Sequence, residues 1–196
     1  GKFMATLFSN KIDFAHSSIK GSCELEKVVS QLLAELKVET CVMSLAQNRF
    51  AELDRLITRL EQCIFSASPA LHEGIQSKFT AQEIFYLNEG YRAWETILEK
   101  IFVDKVVAGS VDSFKHYRLT SRFERLISRE ISMLSARPVK RALFIGSGPV
   151  PISAIWMHQM LQAPIDCLDI DEFAIDASKT LLRSVGLEKR LHVIHE

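Results

Sequence analysis

The sequence lacks any apolar run close to the roughly 18–20 residues that a bilayer-spanning helix needs, and no secretory signal is visible in it. It also lacks an excess of either charge, since 24 basic residues balance 24 acidic ones. No general attraction to nucleic acid or to anionic membranes is therefore expected. We predict a cytoplasmic protein with no nucleic-acid partner and no membrane partner.

Paired cysteines and clustered histidines are absent as well. The four cysteines are spread without a C-x-x-C pair, which argues against a zinc ribbon or a disulfide scaffold and favours reduced, mostly buried thiols. The six histidines are scattered, and His192 and His195 would point to opposite faces of one strand. No protein metal site is expected from ligands spaced in this way.

Helical periodicity dominates the first 135 residues or so. Four apolar stripes predict helices that pack into a core. The third helix begins at "TAQE", where Thr80 and Glu83 have the spacing of a capping box, and "VAGSVDSF" reads as the loop before the fourth helix. Residues 1–135 are therefore expected to form an N-terminal helical bundle. The stripes are Leu25, Val28, Val29, Leu32 and Leu36; Leu53, Leu56, Ile57 and Leu60; Leu87, Tyr91, Trp94, Leu98 and Ile101; and Phe123, Leu126, Ile127, Ile131 and Leu134.

The pattern changes after "SARPVK" to strand–helix–strand–helix–strand, with Gly186 able to end the second helix in a left-handed cap. Residues 136–196 are expected to form the first half of a Rossmann-like, class I methyltransferase-like parallel sheet with strand order 3-2-1. Strand 1 of such a sheet normally has a neighbour on both sides. We therefore expect an α/β chain truncated after its third strand; the alternative is that something else covers the edge of strand 1. A bare edge would allow a homodimer.

The stretch "RALFIGSGPVPIS" lacks the third glycine of a dinucleotide-binding loop. Gly146 and Gly148 would give a tight turn that a ligand can approach closely. Val150 and two prolines leave few free N–H groups for the diphosphate of NAD, so a ligand without phosphate, such as S-adenosylmethionine, fits better. Ordinary methyltransferases usually carry an acid two places before the first glycine, where Phe144 stands here.

An acidic residue ends the second predicted strand, as dinucleotide- and nucleoside-binding folds require. Asp169 lies about 20 residues beyond the loop, where a carboxylate can accept hydrogen bonds from ribose hydroxyls. Asp171 is the neighbouring candidate. The competing interpretation is that both aspartates cap the next helix.

The segment "ALFIGSGPVPIS" closely resembles the glycine loop of nicotianamine synthases, written F-[IV]-G-S-G-P-L-P, and differs inside the G-S-G-P-x-P core only at Val150. "SFKHYRLTSRF" resembles the segment F-P-Y-Y-x-N-Y of the plant enzymes, and "NEGYRAWE" resembles the family's A-E-G-x-x-E helix. The same loop occurs in bacterial relatives that build opine metallophores of the staphylopine and pseudopaline kind. The resemblance extends from Glu89 to Glu196.

The resemblance implies a transferase that uses S-adenosylmethionine as a co-substrate. An amine attacks the γ-carbon of its 3-amino-3-carboxypropyl arm, and methylthioadenosine leaves. Nicotianamine synthases repeat this transfer, whereas the opine-metallophore relatives make it once, onto the α-amine of histidine. By motif, the residue that helps to deprotonate the amine is Glu89, with Glu95 as the alternative, and the residue that orients the arm is Tyr117. The co-substrate is expected to contact Gly146, Ser147, Gly148, Pro149, Asp169 and Ile170.

The sequence departs from the plant pattern around Tyr117. His116 replaces a tyrosine, and Arg118, Leu119 and Thr120 replace the segment that carries the family's asparagine and second tyrosine. These departures favour a bacterial, single-transfer relative over a plant-type synthase. The resemblance to such relatives implies a small-molecule amino-acid acceptor, with histidine the one expected. Two alternatives are an ordinary methyltransferase with a helical cap and a non-enzymatic helical interaction module with a vestigial nucleotide fold.

Overall fold

A computed structural model describes residues 20–38, 44, 47–66, 78–134 and 138–196, and the chain divides into two compact units, Gly1–Ile97 and Leu98–Glu196. The predicted division near residue 135 falls inside the second unit, and the two-domain assignment 1–135 and 136–196 stays a prediction. The described elements are α1 (Lys20–Val38), α2 (Phe50–Ser66), α3 (Ala81–Val107), a 3-10 turn (Phe114–His116), α4 (Thr120–Ser132), β1 (Ala142–Ile145), α5 (Ile152–Leu161), β2 (Ile165–Asp169), α6 (Glu172–Ser184) and β3 (Leu191–His195).

Amphipathic helices build the first unit, as their periodicity predicts. The apolar stripes of α1 and α2 are buried along their whole length, and those helices pack against each other. Two aromatic residues of α3 are buried with their polar tips bound to carboxylates of α2. The Tyr91 hydroxyl donates to Glu61 Oε1 at 2.6 Å, and the Trp94 indole N–H donates to Asp54 Oδ1 at 2.8 Å. These bonds satisfy the polar atoms that would otherwise oppose burial of the rings.

The predicted capping box at the start of α3 is confirmed. The Glu83 backbone N–H donates to Thr80 Oγ1 at 3.2 Å, and the Thr80 backbone N–H donates to Glu83 Oε2 at 3.1 Å. Lys37 of α1 donates to Glu83 at 2.9 Å. That ammonium, with the two groups of Thr80, lowers the pKa of Glu83 to about 2. The first turn of α3 is thus fixed both locally and by α1.

Gly90 of α3 lies directly against Leu36 of α1. A Cβ built on it would lie 2.8 Å from both methyl carbons of Leu36, which is fully buried. The residue therefore has a steric reason to be glycine although it lies inside a helix, where glycine costs about 1 kcal/mol relative to alanine.

We expect Gly90→Ala to lower the free energy of unfolding by up to about 2 kcal/mol, because overpacking costs about 1–3 kcal/mol and the helix propensity of alanine returns only about 1 kcal/mol. Chemical denaturation measures this change. In a Leu36→Ala background the same substitution should be neutral or stabilising, since the clashing methyl groups are gone. Equal losses in both backgrounds would contradict the steric explanation.

The second unit contains the predicted parallel sheet. The strand order is β1-β2-β3, with Ala142 beside Ile165 and Ile165 beside Leu191. The predicted strands, helices and left-handed Gly186 (φ 72°) are all confirmed. Among the described residues, β1 pairs only with β2.

The two faces of the sheet differ in burial. Ile165, Cys167 and Leu191 are buried on the face that α5 and α6 contact. Leu143 and Ile145 point to the opposite face by strand alternation and are exposed, Ile145 at 72%. Burial raises the pKa of the Cys167 thiol to about 12, so this cysteine is an unreactive core residue.

Helix α4 belongs to the sheet-containing unit through its contact with α5. The Trp156 indole N–H donates to the backbone carbonyl of Thr120 at 3.1 Å, and the Trp156 ring packs edge-on against Phe114 at 5.4 Å. The expectation of a continuous buried stripe on α4 is wrong, because only Ile127 of that stripe is fully buried and Leu126 and Leu134 are exposed. Ile101, at the end of the third stripe, is also exposed. None of the helices within the described ranges is long and apolar enough to cross a bilayer.

Candidate active site

The glycine loop between β1 and α5 is a tight turn held by β2. Gly146 and Gly148 have φ values of 72° and 67°, a region that residues with a Cβ adopt at a cost. A Cβ at either position would meet no atom within 4 Å. Glycine is therefore needed here for backbone conformation, and the space beside it is open to a ligand.

Three consecutive N–H groups of the loop are already bound to the end of β2. Those of Gly146 and Ser147 donate to the Leu168 carbonyl at 2.8 and 3.2 Å, and that of Gly148 donates to Asp169 Oδ2 at 2.7 Å. Pro149 and Pro151 have no N–H to offer. A diphosphate needs such donors at a helix N-terminus, so this loop is poorly equipped for NAD and is compatible with a phosphate-free nucleoside.

Asp169 joins the loop to the end of β2. Besides Gly148, its carboxylate accepts the backbone N–H of Asp171 at 3.1 Å, an i to i+2 turn bond of the kind that aspartate often makes. Partial burial raises the pKa of Asp169, but the backbone N–H groups of Gly148, Asp171 and Ile170 outweigh it, and the net pKa lies below the usual aspartate range. Asp169 is thus an ionised acceptor whose position is fixed before any ligand binds.

The two aspartates of "DID" have different roles. Asp171 is the N-cap of α6, where its Oδ1 accepts the Phe173 backbone N–H at 3.0 Å. Helix capping, which the sequence left open for both, is therefore seen for Asp171 alone. Between them, Ile170 exposes 81% of its surface, beside the carboxylate and beyond the end of the strand.

Ser147 is the buried side chain of the loop. It exposes 7% of its surface, and its Oγ has no hydrogen-bond partner among the described residues. An unsatisfied buried hydroxyl costs about 1–3 kcal/mol.

Without ligand, we expect Ser147→Ala to raise the free energy of unfolding by about 0.5–1 kcal/mol, because alanine removes the unsatisfied group and leaves the backbone bond to Leu168 intact. Thermal or chemical denaturation measures the change. Ser178→Ala is the matched control, since that buried hydroxyl donates to the Ile175 carbonyl at 2.9 Å. Its removal should not raise the free energy of unfolding. A clear loss of stability in Ser147→Ala would show that the hydroxyl has a partner in solution.

Tyr117 lies directly after the 3-10 turn, in the same unit as the loop. Its ring is 2% exposed and packs against Phe102 and Phe123, with ring centroids 5.2 and 6.5 Å apart. The Tyr117 carbonyl accepts the Thr120 N–H at 3.0 Å, and Thr120 in turn binds Trp156 of α5. The segment that carries Tyr117 is thereby tied to the helix that follows the glycine loop.

Glu89 belongs to the first unit, on α3 just before Gly90. Its side chain is 35% exposed and forms an ion pair with Arg92, one helical turn on, at 3.1 Å. The carboxylate is therefore neither part of the buried stripe of α3 nor fully solvated. Its catalytic role, like that of Tyr117, stays a prediction.

Among the described residues, no group of three or more histidine, cysteine, aspartate or glutamate side chains is arranged to hold a metal ion. His158 Nδ1 lies 2.8 Å from the Ala163 carbonyl, and His192 Nδ1 lies 3.4 Å from Asp166 Oδ1. The described histidines thus have local partners of their own.

Comparison with known proteins identifies the family. The sequence model of the nicotianamine synthase protein family matches residues 18–195, nearly the whole chain. The chain belongs to the nicotianamine synthase family. The resemblance of the glycine loop is therefore confirmed. The family match also covers residues 18–88, which lie upstream of the motif that begins at Glu89.

Two curated relatives share the name L-histidine 2-aminobutanoyltransferase. The Pseudomonas aeruginosa protein is 43% identical over 51 residues, which cover 26% of this chain and 19% of the relative. The Yersinia pestis protein is 27% identical over 152 residues, which cover 76% of this chain and 56% of the relative. The chain thus spans little more than half the length of the Yersinia pestis relative.

Solved structures of MtNAS share the fold. A glutamate-to-glutamine variant in complex with S-adenosylmethionine superposes with a TM-score of 0.56 at 15% identity, over 92% of this chain and 66% of that one. MtNAS in complex with MTA and tNA gives a TM-score of 0.57 at 16% identity, over 92% and 67%. The predicted arrangement of helices followed by a methyltransferase-like parallel sheet is confirmed by this likeness and by the strand order.

Most of the predicted binding residues lie together in the second unit. The loop and Asp169 are joined by a hydrogen bond, Ile170 follows in the chain, and Tyr117 is linked to α5 through Thr120. Two residues of this region were missed by sequence reasoning: Thr120, as the partner of Trp156, and His195, whose ring contacts the Ile170 carbonyl. Neither carries a spacing signal, because each pairs with a residue at least 25 positions away.

Proposed function

We propose that this protein transfers the 3-amino-3-carboxypropyl group of S-adenosylmethionine to the amine of an amino acid, with histidine as the acceptor, and releases methylthioadenosine. The observation that carries the proposal is the glycine loop, whose N–H groups are bound to β2 and Asp169 and which therefore suits a nucleoside without phosphate. Family membership and relatives named as histidine 2-aminobutanoyltransferases support the same reaction.

The reaction balances as a substitution at carbon. The lone pair of the neutral amine forms the new N–Cγ bond while the Cγ–S bond breaks, and its electrons return to sulfur to give the neutral thioether methylthioadenosine. The nitrogen then loses its extra proton to a base. Because the sulfonium is already a good leaving group, positioning and deprotonation of the amine are the parts that the protein must supply.

Each predicted site residue has a role in this scheme. Gly146, Ser147, Gly148 and Pro149 would form the surface against which the co-substrate lies, and Asp169 would accept its ribose hydroxyls. Ile170, exposed beside that carboxylate, would contact the base. Tyr117 would orient the aminocarboxypropyl arm, and Glu89 would bind and deprotonate the acceptor amine.

The deciding experiment is a by-product assay on the full-length protein. Incubation with S-adenosylmethionine and L- or D-histidine, followed by mass spectrometry, should yield methylthioadenosine and a histidine heavier by one 3-amino-3-carboxypropyl group. S-adenosylhomocysteine in its place would identify an ordinary methyltransferase. No turnover with any amino acid, and no thermal shift with S-adenosylmethionine or methylthioadenosine, would indicate a non-enzymatic module.

Several finer features belong to the same proposal. A single transfer per acceptor, a place in the synthesis of an opine metallophore, a cytoplasmic location and a homodimer are all predictions from the sequence. Counting the 3-amino-3-carboxypropyl groups on the product by mass tests the first of them, and sedimentation of the full-length protein tests the last.

A further inference from the structure

The end of β3 holds the turn that follows β2. His195, the last residue of β3, is the register partner of Asp169. Its Nε2 lies 3.1 Å from the carbonyl oxygen of Ile170, and the Glu196 N–H donates to the Asp169 carbonyl at 3.2 Å. The strand thus contacts two successive carbonyls at the turn where the co-substrate is proposed to bind.

Ile170 needs such a contact because it lies beyond the strand ladder. Its side chain is 81% exposed, so packing does little to fix it. Asp169 is held from the other side, by the N–H groups of Gly148 and Asp171. The imidazole of His195 therefore adds a second side-chain bond to a turn that the Asp169 carboxylate already joins to the glycine loop.

The hydrogen bond also defines the state of the ring. A carbonyl oxygen only accepts, so Nε2 must carry the proton, as it does in one neutral tautomer and in the imidazolium. The charge of the imidazolium further lowers the pKa of Asp169, after the stronger backbone contributions. Both forms of the ring can hold the turn, and the charged form also favours an ionised Asp169.

We propose that His195 is a positioning residue for S-adenosylmethionine: its Nε2–H donates to the Ile170 carbonyl and holds Asp169 and Ile170 in place for the ribose and the base. This inference rests on the proposed function, because it concerns the same binding site. It predicts an effect on nucleoside affinity from a residue whose ring nitrogen contacts a backbone carbonyl of the turn.

Titration calorimetry of methylthioadenosine with the full-length protein tests the proposal. His195→Leu should bind about five- to tenfold more weakly, the effect of one lost hydrogen bond. His195→Gln places an amide N–H near the position of Nε2 and should stay within about twofold of wild type. His192→Leu is the control, because it removes an imidazole from the same strand whose partner is Asp166; it should bind like wild type.

The outcomes separate the inference from the proposed function. Wild-type affinity in His195→Leu, or equal losses in His195→Leu and His195→Gln, would overturn the positioning role. A wild-type protein that binds neither methylthioadenosine nor S-adenosylmethionine would overturn the proposed function itself. If His195→Leu does not fold, nitrogen-15 NMR of the wild-type imidazole decides, since the neutral tautomer protonated on Nδ1 would exclude the hydrogen bond.

Discussion

Replacement of Glu89 by glutamine is expected to lower the rate of 3-amino-3-carboxypropyl transfer about 100-fold or more while methylthioadenosine still binds. General-base catalysis contributes about 10²–10⁴-fold, and an amide cannot take the proton that the amine must lose. Glutamine keeps the size of the side chain and the α3 backbone, so the structure of the first unit should not change. Turnover is measured by methylthioadenosine release at saturating substrates, and affinity is measured by calorimetry.

Two further variants locate the base. Glu95→Gln tests the alternative glutamate on α3, and Glu130→Gln replaces an exposed glutamate of α4 as a matched control. Activity lost in Glu95→Gln and kept in Glu89→Gln would move the role to Glu95. Activity kept in both would contradict a glutamate base on this part of α3.

Arg92 forms the ion pair that an incoming amine would have to displace from Glu89. Its guanidinium lies 3.1 Å from Glu89 and is 68% exposed, so the pair is weak by the usual measure of surface ion pairs. An incoming amine could therefore compete for the carboxylate at little cost. This exposure is the physical reason that an ion-paired glutamate can still serve as a base.

Periodicity and turn chemistry predicted the parts of this fold that depend on nearby residues. The capping box needs only Thr80 and Glu83, three positions apart, and the left-handed turn at Gly186 needs only a residue without Cβ. The glycine loop and Asp169 follow from strand ends, because parallel strands bring their carboxyl ends to one edge of the sheet. These signals are local or set by sheet topology, so sequence alone contains them.

The remaining features depend on contacts that no period encodes. Helix α4 has an amphipathic pattern, yet Leu126 is exposed. The contacts of α5 with this region come instead from Trp156, which binds Thr120 at the start of α4 and packs against Phe114 of the 3-10 turn. The reason for glycine at position 90 lies in Leu36, which belongs to a different helix and is far away in the sequence. Sequence could assign Glu89 and Tyr117 only by family resemblance, since a helix face identifies neither a base nor a ligand contact.

Replacement of Asp169 by asparagine is expected to weaken methylthioadenosine binding about 100-fold. Hydrogen bonds to a charged group contribute about 1.5–3 kcal/mol each, and two ribose hydroxyls would lose such an acceptor. The asparagine amide also cannot accept both the Gly148 and the Asp171 N–H groups as the carboxylate does. The loop should therefore lose part of its support even without ligand.

Asp171→Ala separates binding from folding. It removes the N-cap of α6 and should cost about 1 kcal/mol of stability, while the Asp171 backbone N–H remains for Asp169 and affinity should stay near that of wild type. If Asp169→Asn bound methylthioadenosine as tightly as wild type, a ribose contact at Asp169 would be excluded.

The ionisation of Asp169 sets the pH below which its carboxylate no longer contributes to methylthioadenosine affinity. Its pKa in the folded protein lies below the usual aspartate range, because the backbone N–H groups of Gly148, Asp171 and Ile170 outweigh partial burial. A carboxylate with a lowered pKa stabilises the fold above its unfolded pKa, and this stabilisation is lost as the pH falls through the folded value. Because the carboxylate stays ionised to a lower pH than an ordinary aspartate, half of the affinity due to Asp169 should be lost only at a pH below the usual aspartate pKa. A loss of affinity centred near pH 6 that persisted in Asp169→Asn would belong to another group.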